Sequence, residues 1–455
     1  MSARLSSRLG FILLSAGCAI GIGNVWRFPY VAGQSGGGCF LVVYLLFLAA
    51  LGVPVLTMEF SAGRAAQRSI ARLHETLVPG RPAWRLHGVA GLLGCTCLLM
   101  FYTTVAGWMF IYFVKTAGGE FAGLSPDAIR ARFDAMLADP VRQIAAMAAV
   151  CAGVAAVCAV GIRNGLERAS KGMMLALLAL IAVLAVKSAL LDGAGKGLRF
   201  FLLPDVSRMT SVGVVRVVVN AMNQAFFTLS LGVGSMAIFG SYIGKERALL
   251  GEAANVAALD TVVAVAAGLI TLPACFAYGL EPAQGPGLVF VTLPNVFNHM
   301  SGGRLWGSLF FLFMCFAALT TVLAVFENIV ACLVDYTGWG RRAACAVAGA
   351  ALTLLSLPCV LGFNVWSSFQ PFGKGSSVLD FEDFILSDLL LPLGALAFAF
   401  FCCHRFGWGW ANFVKEANAG CGLKLPPGLR GYCAYVLPVG ILVLFVAGLV
   451  SRFAS

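Results

Sequence analysis

The chain has 455 residues, of which 60% are hydrophobic and 11% are charged, and its net charge is +11. The surface of an ordinary soluble domain needs about a quarter of its residues to be charged, so this composition excludes a soluble enzyme and indicates a polytopic membrane protein. The positive charge does not predict a nucleic-acid partner, because the basic residues are concentrated in alternate loops, as expected of loops that face the cytoplasm.

Eleven apolar runs are long enough, at about 20 residues each, to cross a lipid bilayer as helices. They are continuously apolar, which favours an all-α protein over a β-barrel. With the N-terminus inside, an odd number of spans predicts that the C-terminus lies outside. The loops expected outside are 116–140, 188–211, 279–304 and 374–383. The predicted spans are 9–33, 38–62, 88–114, 141–162, 172–191, 212–243, 253–278, 305–334, 343–363, 381–403 and 431–450.

The cysteines and histidines do not suggest a metal site. Most of the 15 cysteines lie inside apolar runs, and the chain has only four histidines and no C-x-x-C motif. This pattern is typical of small buried thiols, so we expect no bound metal cofactor.

Two predicted spans contain clusters of glycine and polar residues that interrupt a membrane helix. The first span carries Gly17, Gly21, Gly23, Asn24, Arg27 and Pro29, and the sixth carries Asn223, Gln224, Thr228, Ser230, Gly232 and Gly234. Lipid tolerates the freed backbone groups only where they line a cavity. One such cluster would be explained by close helix packing. Two clusters, each opening a five-helix block (9–191 and 212–403), favour an inverted-repeat transporter. The eleventh helix, 431–450, completes a single domain of residues 1–455.

Six segments carry recognisable motifs: RLGFILLSAGCAIGIGNVWRFPYVAGQSGGGCF at 8–40, GVPVLTMEFSAGR at 52–64, FYTTVAGW at 101–108, NQAFFTLSLGVG at 223–234, SYIGKE at 241–246 and FAALTT at 316–321. Together they resemble the neurotransmitter:sodium symporter family, and the short termini and loops resemble its prokaryotic amino-acid branch. The resemblance implies the leucine-transporter fold, a 5+5 inverted repeat with discontinuous first and sixth helices. It also implies a place in the cytoplasmic (inner) membrane of a prokaryote.

The resemblance implies two sets of oxygen ligands for sodium, a hard cation that proteins bind through oxygens. The first set comprises the Ala19 carbonyl, the side chains of Asn24, Thr228 and Asp260, and the substrate carboxylate. The second comprises the carbonyls of Gly17, Ile20 and Ala317 and the hydroxyls of Thr320 and Thr321. The alternative for the two threonines is a bond to a preceding carbonyl of their own helix. One or two sodium ions are expected in each cycle.

Asp260 departs from the common family pattern, in which an Asn is followed four residues later by a chloride-binding Ser. Here the pair is Asp260 and Ala264. A carboxylate inside a span is costly and usually functional, so we predict that Asp260 replaces the chloride charge and that no chloride is needed. The alternative is a protonated Asp260 bonded within the bundle. The other intramembrane acids, Glu59 and Glu327, are expected to bond neighbouring groups.

The implied substrate is an α-amino acid, since Gly21 stands where monoamine carriers of the family place an Asp. Its carboxylate is expected at the amides of Ile22 and Gly23, where a half-helix begins, and at the Tyr102 hydroxyl. Its amine is expected at the carbonyls of Ala19 and Phe227 and the hydroxyl of Ser230, beside Thr228. The side-chain pocket comprises Leu98, Tyr102, Phe227, Val233, Thr321 and Val325. None of these is charged, which predicts a neutral, hydrophobic or aromatic side chain.

Two gates are implied by the resemblance. On the outer side Arg27 is expected to pair with Asp383 above a lid of Tyr102 and Phe227. On the inner side the matching residues are Ser241, Tyr242 and Asp335. Their usual basic and aromatic partners near the N-terminus are replaced here by Ser2 and Leu5, with Arg4 as a possible substitute.

The sequence therefore predicts a sodium-coupled symporter that imports a neutral L-amino acid by alternating access, independently of chloride. The partners expected are the amino acid and the lipid bilayer. The alternative is a sodium-dependent amino-acid sensor or a channel-like protein of the same fold without concentrative transport. The identity of the amino acid, the sodium stoichiometry, proton antiport and the oligomeric state are left open at this level.

Overall fold

A computed structural model describes residues 5, 7–279 and 286–453, which fold as a bundle of helices and confirm the predicted all-α class. The helices begin where the sequence turns apolar or offers a cap: Ser125 and Asp139, for example, cap the two helices that follow them. The helices are α1 (Arg8–Ala19), α2 (Gly23–Gln34), α3 (Gly38–Ala66), α4 (Ile70–Leu77), α5 (Pro82–Gly118), α6 (Pro126–Leu137), α7 (Pro140–Val160), α8 (Ile162–Ala189), α9 (Ala194–Leu202), α10 (Val206–Val212), α11 (Val214–Thr228), α12 (Ser235–Tyr242), α13 (Leu249–Ala277), α14 (Leu293–His299), α15 (Gly303–Thr337), α16 (Arg341–Leu361), α17 (Val378–Cys403), α18 (Trp410–Ala417) and α19 (Pro427–Phe453).

Nine of the described helices are long and apolar enough to cross a membrane alone: α3, α5, α7, α8, α13, α15, α16, α17 and α19. The pair α1 and α2, bent by 55°, makes a tenth span. The predicted sixth span, 212–243, is divided into α11 and α12, of 15 and 8 residues, so neither half is long enough by itself. The eleven predicted spans thus correspond to nine continuous helices and two broken ones.

Some helices reach beyond the apolar runs that predicted them. The fifth span, predicted to begin at residue 172, begins at Ile162, because hydropathy marks the part of a helix in lipid and not its polar end. The loops predicted outside contain α6, α9, α10 and α14. Part of the loop 279–304, residues 280–285, lies outside the described residues.

Small residues allow α12 to lie directly against α3. A Cβ added at Gly63 would lie 1.8 Å from the Ala237 carbonyl oxygen, and one added at Gly240 would lie 2.4 Å from the Phe60 carbonyl oxygen. The backbones are therefore in contact, as small residues permit in membrane bundles. This packing fixes the second half of the broken sixth span.

An aromatic cluster closes the side of the bundle that is predicted to face outward. Phe290, just before α14, stacks on Phe133 of α6 at 5.3 Å between ring centroids and meets Tyr112 of α5 at 4.8 Å. It also reaches Trp26 of α2 at 6.4 Å. The cluster thus joins the outer connecting helices to the first span, close to its break.

All 15 cysteines are free thiols. Thirteen are buried, Cys97 is half-buried and Cys421 is exposed. Cys421 lies between α18 and α19, where its backbone bonds both Glu246 and Ala248 of the loop before α13.

Candidate functional site

The two broken spans meet in the centre of the bundle. Helix α1 ends at Ala19, Ile20 adopts an extended conformation, and α2 begins at Gly23. In the sixth span the break covers residues 229–234, where Ser230 and two glycines have left-handed backbone, with φ of +50° at Ser230 and +93° at Gly232. A left-handed non-glycine residue is uncommon and strained. Both breaks coincide with the glycine-rich clusters of the sequence.

The first break exposes amide groups toward α5. The Ile22 amide donates to the Tyr102 hydroxyl oxygen at 2.6 Å, and the Gly21 amide donates to Oδ1 of Asn24 at 3.1 Å. A Cβ added at Gly21 would lie 2.0 Å from the Tyr102 oxygen, and one added at Gly23 would lie 2.6 Å from the Phe227 ring. Only glycine fits at these two positions.

One cluster of oxygen atoms surrounds Asp260, whose side chain is fully buried. Nδ2 of Asn24 donates to Oδ1 of Asp260 at 2.8 Å, and the Thr228 hydroxyl donates to Oδ2 at 2.9 Å. The Tyr44 hydroxyl is 3.4 Å from Oδ2. The three side chains predicted for the first sodium set are therefore in direct contact, and Ala19 ends the helix beside them.

A second oxygen cluster joins α1 to α15. The Thr321 hydroxyl donates to the Gly17 carbonyl at 3.1 Å and to the Ile20 carbonyl at 3.2 Å. The Thr320 hydroxyl bonds the carbonyls of its own helix at Phe316 and Ala317, at 2.9 and 3.0 Å. The five residues predicted for the second sodium set thus lie together. Thr320 also makes the back-bond that was the alternative to a ligand role.

A small cavity lies between the two breaks. It leaves about 10 Å³ for the centre of a water-sized sphere, room for about one water molecule. Its walls are Cys18, Ala19, Gly23, Leu98, Tyr102, Phe227, Ser230, Thr321, Leu386 and Leu391. Seven of these ten were predicted for the substrate site.

The predicted pocket differs from this cavity on two sides. Val233 and Val325 are buried but do not line it; the Val233 side chain faces Gly94 instead. Leu386 and Leu391 of α17 take their place, and Cys18 adds a thiol to the wall. A span was predicted from the sequence at 381–403, but neither leucine was assigned to the pocket.

Arg27 covers the Phe227 wall of the cavity on the side predicted to face outward. Its guanidinium carbon lies 4.4 Å from the centroid of the Phe227 ring, a cation–π contact. Its Nη1 is 3.8 Å from Oδ1 of Asp383 and donates to the Ser387 hydroxyl at 3.1 Å. Ser387 in turn donates to Asp383 at 2.6 Å. The predicted pair therefore exists with Ser387 between its partners, a residue that the sequence analysis missed.

Among the described residues, Ser241, Tyr242 and Asp335 share no hydrogen bond or ion pair with one another. The Ser241 hydroxyl bonds the Ile238 carbonyl of its own helix at 2.6 Å. Asp335 accepts hydrogen bonds from the Ser69 amide and hydroxyl at 2.9 and 2.7 Å. The amide of Leu5 donates to the Tyr242 carbonyl at 3.3 Å, whereas Ser2 and Arg4 lie outside the described residues.

A buried ion pair lies on the side predicted to face the cytoplasm. Glu327 of α15 is fully buried and accepts the Tyr242 hydroxyl at 2.8 Å. Nη1 of Arg341 donates to the same carboxylate at 2.9 Å. A buried carboxylate needs a cation and hydrogen-bond donors, and Arg341 and Tyr242 supply them in this triad. Glu327 bonds its neighbours, as expected, and the assignment of Arg341 was not made from sequence.

Two further polar side chains hold the breaks from outside the cavity. Oε1 of Glu59 accepts the Gly232 amide at 2.6 Å. Nε2 of Gln224 donates to the Gly23 carbonyl at 3.1 Å. Each side chain satisfies a backbone group that the missing helix turn leaves open, and Gln224 links the two broken spans directly.

Known transporter sequences resemble this chain over most of its length. The family model described as the sodium:neurotransmitter symporter family matches residues 3–122 and 137–453. The sodium-dependent transporter YhdH of Bacillus subtilis is 37% identical over 87% of this chain and 86% of its own length. A sodium-dependent transporter of Haemophilus influenzae is 30% identical over 98% and 97%.

A solved structure extends the comparison to the fold. The crystal structure of MhsT in complex with L-phenylalanine is 36% identical, with a TM-score of 0.88 over 98% of this chain and 99% of that chain. The match confirms the predicted leucine-transporter-type fold with discontinuous first and sixth helices. This chain is a multi-pass, sodium-dependent transporter and not an enzyme, and it belongs to the sodium:neurotransmitter symporter family.

Proposed function

We propose that the chain imports a neutral, hydrophobic or aromatic L-amino acid together with one or two sodium ions, and that it needs no chloride. The observation that carries the proposal is the meeting of both helix breaks at one uncharged cavity beside the buried carboxylate of Asp260. The solved structure of MhsT holds L-phenylalanine, which agrees with an amino acid of this class.

The carboxylate of the substrate would bind at the first break. The Ile22 amide and the Tyr102 hydroxyl already bond each other there at 2.6 Å, and α2 begins at Gly23 with its positive dipole end toward the cavity. The amine would bind the hydroxyl of Ser230 and the carbonyls of Phe227 and Ala19. A carboxylate and an amine at fixed positions select an α-amino acid.

The walls of the cavity would select the side chain. Leu98, Phe227, Leu386 and Leu391 are apolar, and the polar wall atoms are hydroxyl, thiol and backbone groups. A charged side chain would lose its water there without gaining a partner, at a cost of several kcal/mol. Because the cavity holds little more than one water molecule, the Phe227 ring and the Arg27 side chain above it must move for a bulky substrate to enter.

Sodium would bind at the two oxygen clusters. At the first, Asn24, Thr228 and Asp260 with the Ala19 carbonyl would form a cage that the substrate carboxylate completes, so that ion and substrate bind together. At the second, an ion would take the carbonyls that Thr321 now bonds. The Asp260 carboxylate would supply the negative charge that chloride supplies in chloride-dependent relatives.

Alternating access would exchange the two closures around this site. The outer closure is the Arg27, Ser387 and Asp383 group, and the inner closure is the Tyr242, Glu327 and Arg341 triad. Opening the outer closure admits sodium and substrate, and opening the inner one releases them. Inward movement of each sodium ion gains about 2.3 kcal/mol per 100 mV of membrane potential.

The test is uptake of labelled neutral amino acids into proteoliposomes with an inward sodium gradient, in chloride and in gluconate. We expect accumulation of a hydrophobic or aromatic amino acid that collapses without sodium and persists in gluconate. A requirement for chloride would contradict the role of Asp260 alone. Sodium-dependent binding without accumulation would replace transport by the sensor function.

A further inference from the structure

Two histidines join the short helix α4 to the break of the sixth span. His74 lies in α4 and His87 near the start of α5, and both are buried. Nε2 of His74 is 3.0 Å from Nδ1 of His87. Nε2 of His87 is 3.2 Å from the carbonyl oxygen of Gly232. No step of the proposed transport cycle described above uses either residue.

The hydrogen bonds fix the direction of donation along this chain. The Gly232 carbonyl can only accept, so Nε2 of His87 carries its hydrogen and Nδ1 is the acceptor of a neutral ring. His74 therefore donates from Nε2. Burial lowers the pKa of His74, which keeps its ring neutral. Phe401 and Phe398 pack on the pair, at 4.6 Å from His74 and 4.7 Å from His87 between centroids.

The peptide group that precedes Gly232 is held as well. Its amide donates to Oε1 of Glu59 at 2.6 Å. A Cβ added here would lie 2.3 Å from the carbonyl oxygen of Leu391, a residue that lines the central cavity. His87, Glu59 and α17 thus enclose the backbone of Gly232, two residues beyond Ser230, and bond the peptide groups on both sides of its Cα.

The other end of this connection lies at the inner side. Helix α4 is preceded by Ser69, whose amide and hydroxyl bond Asp335 at the end of α15 at 2.9 and 2.7 Å. Arg68 donates to the same carboxylate at 3.1 Å. Bonded groups therefore run from Asp335 through α4 and the histidine pair to Gly232.

We propose that His74 and His87 are positioning residues for substrate binding. They hold the Gly232 peptide so that Ser230 and Phe227 face the substrate, and they tie that arrangement to α4 and Asp335. When the inner side opens and α4 shifts against α15, this movement displaces the histidine pair and the Gly232 backbone. The affinity of the site for the amino acid then falls. This inference rests on the proposed function.

The experiment measures sodium-dependent binding of labelled L-phenylalanine, the ligand of the MhsT structure, to purified His87→Leu, His87→Gln and wild-type protein. Leucine leaves the buried Gly232 carbonyl without a donor, so we expect the Kd to rise about tenfold or more. Glutamine keeps a donor at the Nε2 position and should stay within about threefold of wild type. His404→Leu is the matched control. His404 also bonds a backbone carbonyl, that of Ala434 at 2.9 Å, but it lies outside the substrate site.

Each outcome separates the inference from the proposed function. Wild-type protein that binds no amino acid in sodium contradicts the proposed function. Wild-type binding with His87→Leu unaffected, or with His404→Leu impaired equally, overturns the positioning role. Asp335→Asn combined with His87→Leu should give a non-additive change in Kd. Additive changes overturn the link to α4 even if His87 itself matters.

Discussion

Replacing Asp260 by Asn is the sharpest test of ion coupling. The side chain is fully buried and accepts hydrogen bonds from Asn24 and Thr228 at 2.8 and 2.9 Å. Asparagine keeps the shape and one oxygen but removes the negative charge. The substitution therefore tests the charge and leaves the packing of the bundle nearly unchanged.

The size of the effect follows from the short distance between ion and carboxylate. A sodium ion about 2.4 Å from a carboxylate oxygen gains about 7 kcal/mol at an effective dielectric constant of about 20. Desolvation offsets part of this, and breaking a buried pair costs about 3 to 5 kcal/mol. Asp260→Asn should therefore weaken sodium activation by roughly 150-fold to 5,000-fold, at about 1.4 kcal/mol for each factor of ten.

The assay is a sodium titration of labelled amino-acid binding in gluconate. The control is Asp205→Asn, at a half-buried carboxylate outside the spans. Adding Ala264→Ser to Asp260→Asn should restore part of the binding when chloride is supplied, because the hydroxyl offers the anion a donor. The reasoning is refuted if Asp260→Asn keeps sodium activation within threefold of wild type in gluconate.

Three further predictions concern the cavity, the inner closure and pH. Gly21→Ala should abolish amino-acid binding, because the added Cβ would lie 2.0 Å from a buried hydroxyl oxygen of α5. The control Gly153→Ala, with no atom within 4 Å of the added Cβ, should bind the amino acid normally. Equal binding by the two variants would contradict the tight fit at Gly21. Arg341→Ala should lower the melting temperature by several degrees, because leaving the buried Glu327 carboxylate without its cation costs about 3 to 5 kcal/mol of stability. Adding Glu327→Gln should recover part of that loss. An unchanged melting temperature in Arg341→Ala would argue against the ion pair. Burial lowers the pKa of His74 in the fold, so the unfolded chain protonates this ring more readily, and the free energy of unfolding should fall as pH drops below about 6.5. His74→Gln should make that fall less steep. Parallel curves of unfolding free energy against pH for the two proteins would count against a buried neutral ring.

The breaks could be predicted from the sequence because they depend on local backbone. Glycines at 21 and 23 and at 232 and 234 stand where the helices stop, and the polar residues beside them bond the freed groups. Asn24, Thr228 and Asp260 could be grouped because a family motif carries the geometry of the helices with it. Local composition and motif together therefore anticipate most of the central site.

The two closures could not be predicted in the same way, because they depend on how distant helices are rotated and displaced. Ser241 bonds its own helix, Asp335 bonds Ser69 just before α4, and neither bonds Tyr242 among the described residues. Arg341 lies 14 residues from Glu327, and no local pattern marks the pair. Packing between distant segments also decides that Val233 faces Gly94 and that Leu391 lines the cavity.

The unequal exposure of the thiols offers a way to watch the protein move. Cys421 is the one exposed cysteine of the chain, so a maleimide dye should attach there without any engineered residue. Its amide and carbonyl bond the backbone of Glu246 and Ala248 at 3.0 and 2.9 Å, which fastens two connecting loops together. A fluorophore at this native position would report whether these backbone hydrogen bonds between the two loops persist during transport.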